Sequence, residues 1–444
     1  MNLIYGIKDK PRFGQVVLFA IQQLLAIMAA TIAVPAVVNS VTGSDMTASA
    51  ALFGAGVGSI VYLLFTKSSS PVFLGSSFAF LGPMFTAFGG AASMAVGYAG
   101  LILGALIAGL VYVVIAIVVK FCGVKWIDKL MPPVIIGPTV AIIGLSLAGN
   151  AIGDLMTSSV EGGSVYVCLI CGLVTLAVTV LASTYGKNMV KLIPFIIGIL
   201  AGYLCASIFA LIGRASGNDA LVVINYAALQ NMHSVISLPA FSFLKADWGG
   251  VNAAYLLTLF VAYAPVAFVV FAEHLADHKN LSSIVGVDLL EEPGLTRTLL
   301  GDGIGSVVGA FFGGCPNTTY GESIATVAIT RNASTVSIWG AAVACLVFSL
   351  ITPLVAFLET IPNCVMGGVC VALYGFIAAS GLKMLQPVDL NKNRNLFVAS
   401  VIFIVGVGGM TVSFGAVEIR TVACALILGI LTNVMLSKEK DEDA

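Results

Sequence analysis

The chain has 444 residues, of which 59% are hydrophobic and only 9% charged, with a mean hydropathy of +1.06. A soluble domain carries roughly 25% charged residues, so this chain cannot coat itself for water and lipid must be its outer solvent. The net charge of −1 argues against a nucleic-acid partner.

Apolar runs near the length of a bilayer-crossing helix recur through the sequence, continuously apolar and without the alternation of a membrane β-barrel. The expected fold is therefore an all-α polytopic membrane protein. The first apolar run, after a polar and basic start, is too long for a signal segment and is read as a retained first span. Candidate spans follow at 15–38, 47–65, 71–91, 95–119, 133–152, 164–183, 191–213, 252–275, 300–313, 316–333, 335–357, 361–381, 396–412 and 415–436, fourteen in all. With this count and a cytoplasmic N-terminus, all of the 20 Lys and Arg except Arg214, Lys245 and Arg420 fall on the cytoplasmic side. That is the positive-inside bias, and it places both termini in the cytoplasm. The nine cysteines lie almost all within apolar runs and read as packing residues, Cys168-x-x-Cys171 having no partner pair for a metal.

Two spans are anomalous. The third opens Pro71-Val-Phe-Leu-Gly-Ser-Ser-Phe78 and the tenth Pro316-Asn-Thr-Thr-Tyr-Gly-Glu322, extended stretches that only then become helical. Bare backbone at membrane depth is tolerable where it lines a protein-enclosed cavity; the plainer alternative is two kinked helices. Seven spans lie on each side of the loop 214–250, dividing the chain at 1–213 and 251–444. The halves echo each other: Gln22-Gln23 is matched by Glu273-His274, and Pro132, Gly137 and Gly144 by Pro362, Gly367 and Gly375. An odd number of spans per half makes the repeats inverted, and interrupted segments at matching places mark a midplane transport site.

A charge inside a span costs a few kcal/mol and needs a reason. Glu273 and Asp277 share a helix face at i, i+4, with His274 and His278 beside them. Asp302 could cap a short span, and Glu418 near Arg420 reads as structural. Glu273 and Glu322 fall where a midplane site is expected. The half-helix starts at Phe78 and Gly321 offer backbone N–H groups to carbonyl oxygens or to an anion. Two carboxylates disfavour an anion and suit a ligand with N–H groups or a cation. Phe78, Phe80, Tyr320 and Tyr374 could wall a flat ring; alternating N–H and C=O groups on such a ring describe a nucleobase, and uracil is the smallest that fits.

At Leu74-Gly-Ser-Ser-Phe-Ala-Phe80, Ala272-Glu-His274, Pro316-Asn-Thr-Thr-Tyr-Gly-Glu322 with Thr330-Arg331, and Gly367-Gly368 with Tyr374-Gly375, the chain resembles the nucleobase–ascorbate transporter family, most closely its bacterial uracil permeases. The resemblance implies seven plus seven inverted repeats. Spans 1–4 and 8–11 would form a core domain, 5–7 and 12–14 a gate domain, with short strands in spans 3 and 10, and a homodimer in the cell membrane. It implies import of uracil together with a proton and no other cofactor. Glu273 and Glu322 would hydrogen-bond the base, the backbone at Phe78 and Gly321 would meet its carbonyls, and Tyr320, Tyr374 and Ser323 would join the binding site. Glu273 would link binding to protonation, tuned by Asp277 and His278.

Three departures stand out. Gln23 replaces a common His, Ser323 and Ala325 replace Asn and Gly, and Asp277 stands where a His is usual. A purine base on the same fold, an anion carrier and a channel are the competing readings. No nucleophile–base or metal-ligand constellation suggests an enzyme.

Overall fold

The computed structural model describes residues 3–123, 132–187, 189–230, 232, 234–414, 417–419 and 421–436. Among the described residues, eight helices are long and apolar enough to cross a membrane. The chain is a polytopic α-helical membrane protein.

In chain order the main elements are α1 (Phe13–Thr42), α2 (Ala48–Phe65), β1 (Leu74–Ser76), a 3-10 turn at Phe78–Phe80, α3 (Leu81–Gly89), α4 (Met94–Cys122), α5 (Pro133–Ser146), α6 (Ala148–Leu155), α7 (Val165–Tyr185), α8 (Met189–Leu192) and α9 (Pro194–Ser216). The short α10 (Ala227–Gln230) and α11 (Ser242–Lys245) lie in the connection to the second half. Then come α12 (Ala253–Val285), α13 (Leu295–Gly313), β2 (Asn317–Thr319), α14 (Gly321–Thr330), α15 (Thr335–Leu350), α16 (Thr352–Glu359), α17 (Asn363–Met384), α18 (Asn393–Val407), the hairpin β3 (Val412–Phe414) and β4 (Val417–Ile419), and α19 (Thr421–Met435).

These elements pack as two sets. In the first, α13 lies against α2 and α4, α15 against α1 and α2, and α12 against α4. In the second, α17 packs on α5, α6 and α7, α9 on α7, and α18 on α5 and α19. Close approach in the first set depends on glycine. A Cβ at Gly58 would stand 2.8 Å from the Gly305 carbonyl, and one at Gly54 would stand 2.4 Å from that of Gly309. In lipid, where apolar side chains gain little from meeting each other, such backbone-to-backbone contact supplies the van der Waals attraction that joins helices.

Hydropathy misjudges several boundaries. The stretch 252–275 belongs to a helix that continues to Val285, because polar Asp277, His278 and Asn280 end the apolar run without ending the helix. The stretch 335–357 is two helices, interrupted at Ile351, whose φ −81° and ψ 99° are extended. There the chain leaves the helix to pair with the long connection: Ser237 N–H donates to Leu350 O, and Thr352 N–H to Val235 O. Within the stretch 415–436, Val417–Ile419 form a strand paired with Val412–Phe414, and the helix starts at Thr421. Lys125, Lys129, Arg420, Lys438 and Lys440 lie outside the described residues, as does the Glu418 side chain.

The connection 214–250 is anchored by aromatic packing and one ion pair. Phe241 and Phe243 pack against Phe312, and Lys245 Nζ lies 2.7 Å from Asp45 Oδ2. Tyr98 also donates to Asp45 at 2.7 Å. The Lys245 hydrogen bond, followed by that from Tyr98, lowers the Asp45 carboxyl below its ordinary value of 3.8.

Candidate functional site

Leu74 pairs with Thr319, Gly75 with Thr318 and Ser76 with Asn317, so β1 and β2 run antiparallel through the first helix set. Three-residue strands satisfy only a few backbone groups, and the remainder is fixed by side chains. Ser59 Oγ accepts from Leu74 N–H at 2.8 Å, and Asn317 Nδ2 donates to Gly54 O at 3.0 Å. Ser77 N–H donates to Pro316 O at 2.9 Å. The Tyr320 ring lies flush on β1: a Cβ at Gly75 would stand 2.4 Å from it. The Tyr320 hydroxyl donates to Ser76 O, locking the ring in place.

Each strand then hands over to a helix, β1 through the turn at Phe78 and β2 through α14 at Gly321. The first turn of a helix has N–H groups without intrahelical partners. Phe78 and Gly321 line one cavity of about 750 Å³, together with Tyr320, Glu322, Glu273 and Asp277. This is within the range of small-molecule sites. The far wall comes from the second helix set, chiefly Val140 and Ile143 of α5, Phe195 of α9, and Leu373, Phe376 and Ile377 of α17. Exposed Lys191 and Lys383 line its mouth. A smaller cavity of about 360 Å³ lies between Pro35 and Asn39 of α1 and Asn363 and Met366 of α17.

The helix α12 divides its titratable groups between two faces. Glu273 and Asp277 face the cavity, and Asp277 Oδ2 accepts from Thr319 Oγ1 at 2.7 Å, tying α12 to β2. His274 and His278 are fully buried on the other side, their rings stacked with centroids 4.1 Å apart. His274 Nδ1 lies 2.7 Å from Asp302 Oδ2, and its Nε2 lies 3.0 Å from Thr298 Oγ1. His278 Nδ1 lies 2.8 Å from the His274 carbonyl, which only accepts, so Nδ1 carries a proton. His278 Nε2 meets the Tyr62 hydroxyl at 2.7 Å.

Several expected positions are corrected by this geometry. His278 does not stand with Glu273 and Asp277, because one residue further along an α-helix turns the side chain through about 100°. Asp302 does not cap a helix: α13 begins at Leu295, so Asp302 lies within it and pairs with His274. Tyr374 does not line the cavity; it is buried behind Phe78, edge to face at 5.9 Å between centroids. Phe80 is also buried away from it, stacked on Tyr263 at 5.7 Å. Ser323 is fully buried and turned from the cavity, its Oγ accepting from Phe73 N–H at 3.0 Å and from the Gln23 side-chain amide.

Sequence reasoning missed the α17 wall. The spacing of Leu373, Phe376, Ile377 and Ser380, at three and four residues, was the available signal. Nothing in the sequence marked Thr319 as the partner of Asp277.

A sequence model described as a permease family matches residues 14–414. The chain is 37% identical over 436 residues to a uracil permease of Bacillus caldolyticus, covering 98% of this chain and 94% of that one. It is 36% identical to a uracil permease of Bacillus subtilis (strain 168), covering 99% and 96%, and 36% identical to that of Escherichia coli (strain K12), covering 96% and 92%. Among solved structures, the transmembrane domain of the cyanobacterial bicarbonate transporter BicA matches 96% of this chain and 99% of its own at a TM-score of 0.64 and 16% identity. The murine Solute Carrier 26 family member A9 anion transporter, in an inward-facing state, matches 97% and 69% at 0.66 and 12%. The structural likeness fixes the fold, and the full-length sequence match assigns the chain to the permease family that resembles it, the nucleobase–ascorbate transporters.

Proposed function

We propose that the protein is a secondary transporter that imports uracil across the cell membrane together with a proton. The observation that carries this is the meeting of two acceptor carboxylates, Glu273 and Glu322, with the backbone starts at Phe78 and Gly321 in one cavity. Uracil presents N–H donors and C=O acceptors around a planar ring. Carboxylates accept from the N–H groups, backbone N–H groups donate to the carbonyls, and Phe78 and Phe376 supply apolar walls. Full-length identity to three uracil permeases supports the choice of base.

The site lies between the two helix sets, which supports a core built from spans 1–4 and 8–11 moving against a gate of 5–7 and 12–14. The paired β1 and β2, drawn from the two halves, support the seven-plus-seven inverted-repeat reading with fourteen spans. The larger cavity opens beside Lys191 and Lys383. With the cationic side cytoplasmic, this arrangement is the inward-open state, and both termini are cytoplasmic. A homodimer completes the proposal on the family resemblance alone. Glu273 takes the transported proton, with Asp277 on the same face: a carboxylate in a closing, water-poor cavity is costly as an anion and is neutralised by a proton.

The anion-carrier reading draws only on the fold. Three carboxylates at the cavity's depth oppose it.

The test is labelled-uracil uptake into proteoliposomes with an acidic exterior, challenged with excess xanthine. Saturable uptake that rises with the imposed gradient and resists xanthine is the expected result. Uptake blocked by xanthine would move the assignment to a purine, and gradient-independent uptake would remove the proton. Glu322→Gln should weaken uracil binding by about 1–3 kcal/mol, because an acceptor becomes a donor facing a ring N–H. An unchanged affinity would take Glu322 out of the site.

A further inference from the structure

Three helices lead from the depth of the main cavity to its mouth. Glu273 and Asn280 of α12, Glu322 and Ile329 of α14, and Phe376 and Lys383 of α17 all line it. Each pair is separated by two helical turns, so the lined shaft is about 10 Å long. The ring contact between Phe78 and Tyr374 sets this part of α17 level with the half-helix starts. A cavity of about 750 Å³ suits a drug-sized ligand, and a one-ring base at the carboxylates leaves most of it empty.

The chemistry of the lining changes along the shaft. At the depth are Glu273, Glu322 and the backbone starts at Phe78 and Gly321. One turn nearer the mouth comes Asp277, which has a second carboxylate oxygen besides the one that holds Thr319, and Asn280 follows. At the mouth stand Lys191 and Lys383, exposed, and neither makes an ion pair among the described residues. The carboxylates keep an anion from the depth, whereas two unpaired cations at one opening attract one to the mouth. The positive-inside bias explains cationic loops in general, and not the convergence of two elements, α8 and α17, on a single opening.

Acceptors and donors for a flat ring, then acceptors for hydroxyls, then two cations: this is the order of base, sugar and phosphate in a nucleotide. A nucleoside monophosphate of uracil keeps one ring N–H and both carbonyls, and its sugar hydroxyls can donate to Asp277. Its phosphate, with a charge of about −1.5 to −2 at neutral pH, meets the lysines. We infer that the shaft is also an inhibitory site for a pyrimidine nucleoside monophosphate entering from the cytoplasm. An imported neutral base stays in the cell only once it is made charged. Its phosphorylated form, bound here, holds the inward-open arrangement and stops further import. The inference rests on the nucleobase reading above and adds to it a second ligand and the two lysines.

The experiment titrates uracil, uridine, uridine monophosphate and inorganic phosphate into the full-length purified protein in detergent, with and without saturating uracil. The monophosphate should bind about tenfold more tightly than uridine, and saturating uracil should abolish its binding. Lys191→Ala and Lys383→Ala should each weaken monophosphate binding about threefold, and the double variant about tenfold. Uracil affinity should stay within about twofold of wild type in all three, because the lysines lie two turns from the base. In right-side-out proteoliposomes, monophosphate sealed in the lumen should slow uracil uptake by wild type and not by the double variant. Monophosphate binding that persists under saturating uracil, or that survives loss of both lysines, overturns the inference. So does inorganic phosphate, or phosphatidic acid in the micelle, binding as tightly as the monophosphate, which would make the mouth a site for phosphate alone. Wild-type protein that binds uracil and not the monophosphate breaks this inference alone. Wild-type protein that binds neither breaks the nucleobase reading with it.

Discussion

The two faces of α12 carry the same kinds of group and do opposite things with them. Glu273 and Asp277 look into a cavity of about 750 Å³, and Asp277 has a hydroxyl from β2 within reach. One residue on in each case, His274 and His278 are sealed from solvent, stacked on each other and bonded to Asp302, Thr298 and Tyr62. The cavity face can exchange protons with water and ligand. The sealed face can exchange them only along its own short chain of bonds. A helix can thus present a changeable charge to a ligand only if its opposite side is fixed in place, and here the fixing is polar rather than apolar.

The largest expected effect comes from breaking the sealed face. Asp302→Ala leaves His274 Nδ1 without its hydrogen-bond partner in a fully buried place and should destabilise the protein by about 1–3 kcal/mol. The loss would be read as lower thermal stability in detergent, with the wild-type preference for uracil retained by whatever fraction folds. A variant as stable as wild type would mean that the sealed face fixes nothing.

The cavity face should respond in function and not in stability. An imposed gradient of one pH unit supplies about 1.4 kcal/mol, enough for roughly tenfold accumulation with one proton per uracil. Glu273→Gln mimics the protonated group and should bind uracil while bringing the accumulation ratio down to unity. Continued uphill uptake in this variant would place the proton elsewhere.

The smallest effect belongs to an exposed counterpart of the sealed pair, Asp45 with Lys245. Its carboxyl is lowered in the folded protein, so its contribution is present above the unfolded value and lost as pH falls through the folded one. The Asp45 side chain is 77% exposed, so the contribution is small. Melting temperature should decline slightly as pH falls from about 5, and Asp45→Asn should remove that part of the slope. An identical slope in the variant would show that the pair contributes nothing to stability.

Much of this was legible in the sequence, for reasons that also mark where legibility ended. Hydropathy locates helices because lipid admits little else, and Pro316 to Glu322 announces a site because Gly and hydroxyl residues are costly there without a purpose. Glu273 and Glu322 were recognisable as charges with no other reason to be in a span, and Asp277 by its i, i+4 spacing from Glu273; all three line the cavity. Rotational phase was the missing quantity. Whether Ser323 faces the ligand or Gln23 depends on where α14 starts and what stands beside it. The same holds for Tyr374, which one helical step separates from the cavity-lining Leu373. The extension of α12 to Val285 escaped for another reason: its polar residues are satisfied by neighbours far away in sequence, such as Tyr62 and Thr319.

The pairing of Leu74 with Thr319 joins residues separated by more than half the length of the chain. During synthesis, β1 therefore enters the membrane well before its partner strand exists. Its backbone N–H and C=O groups must meanwhile be satisfied by water, the insertion machinery or neighbouring side chains such as Ser59, which bonds Leu74 on both its N–H and its C=O. The first half can be inserted as helices, but its half of the site stays unfinished until Asn317–Thr319 emerges. The strand-lined wall of the cavity therefore forms only after more than two thirds of the chain has been made, and a chain truncated before β2 should present to the cell's quality-control proteases an unpaired edge within the bilayer.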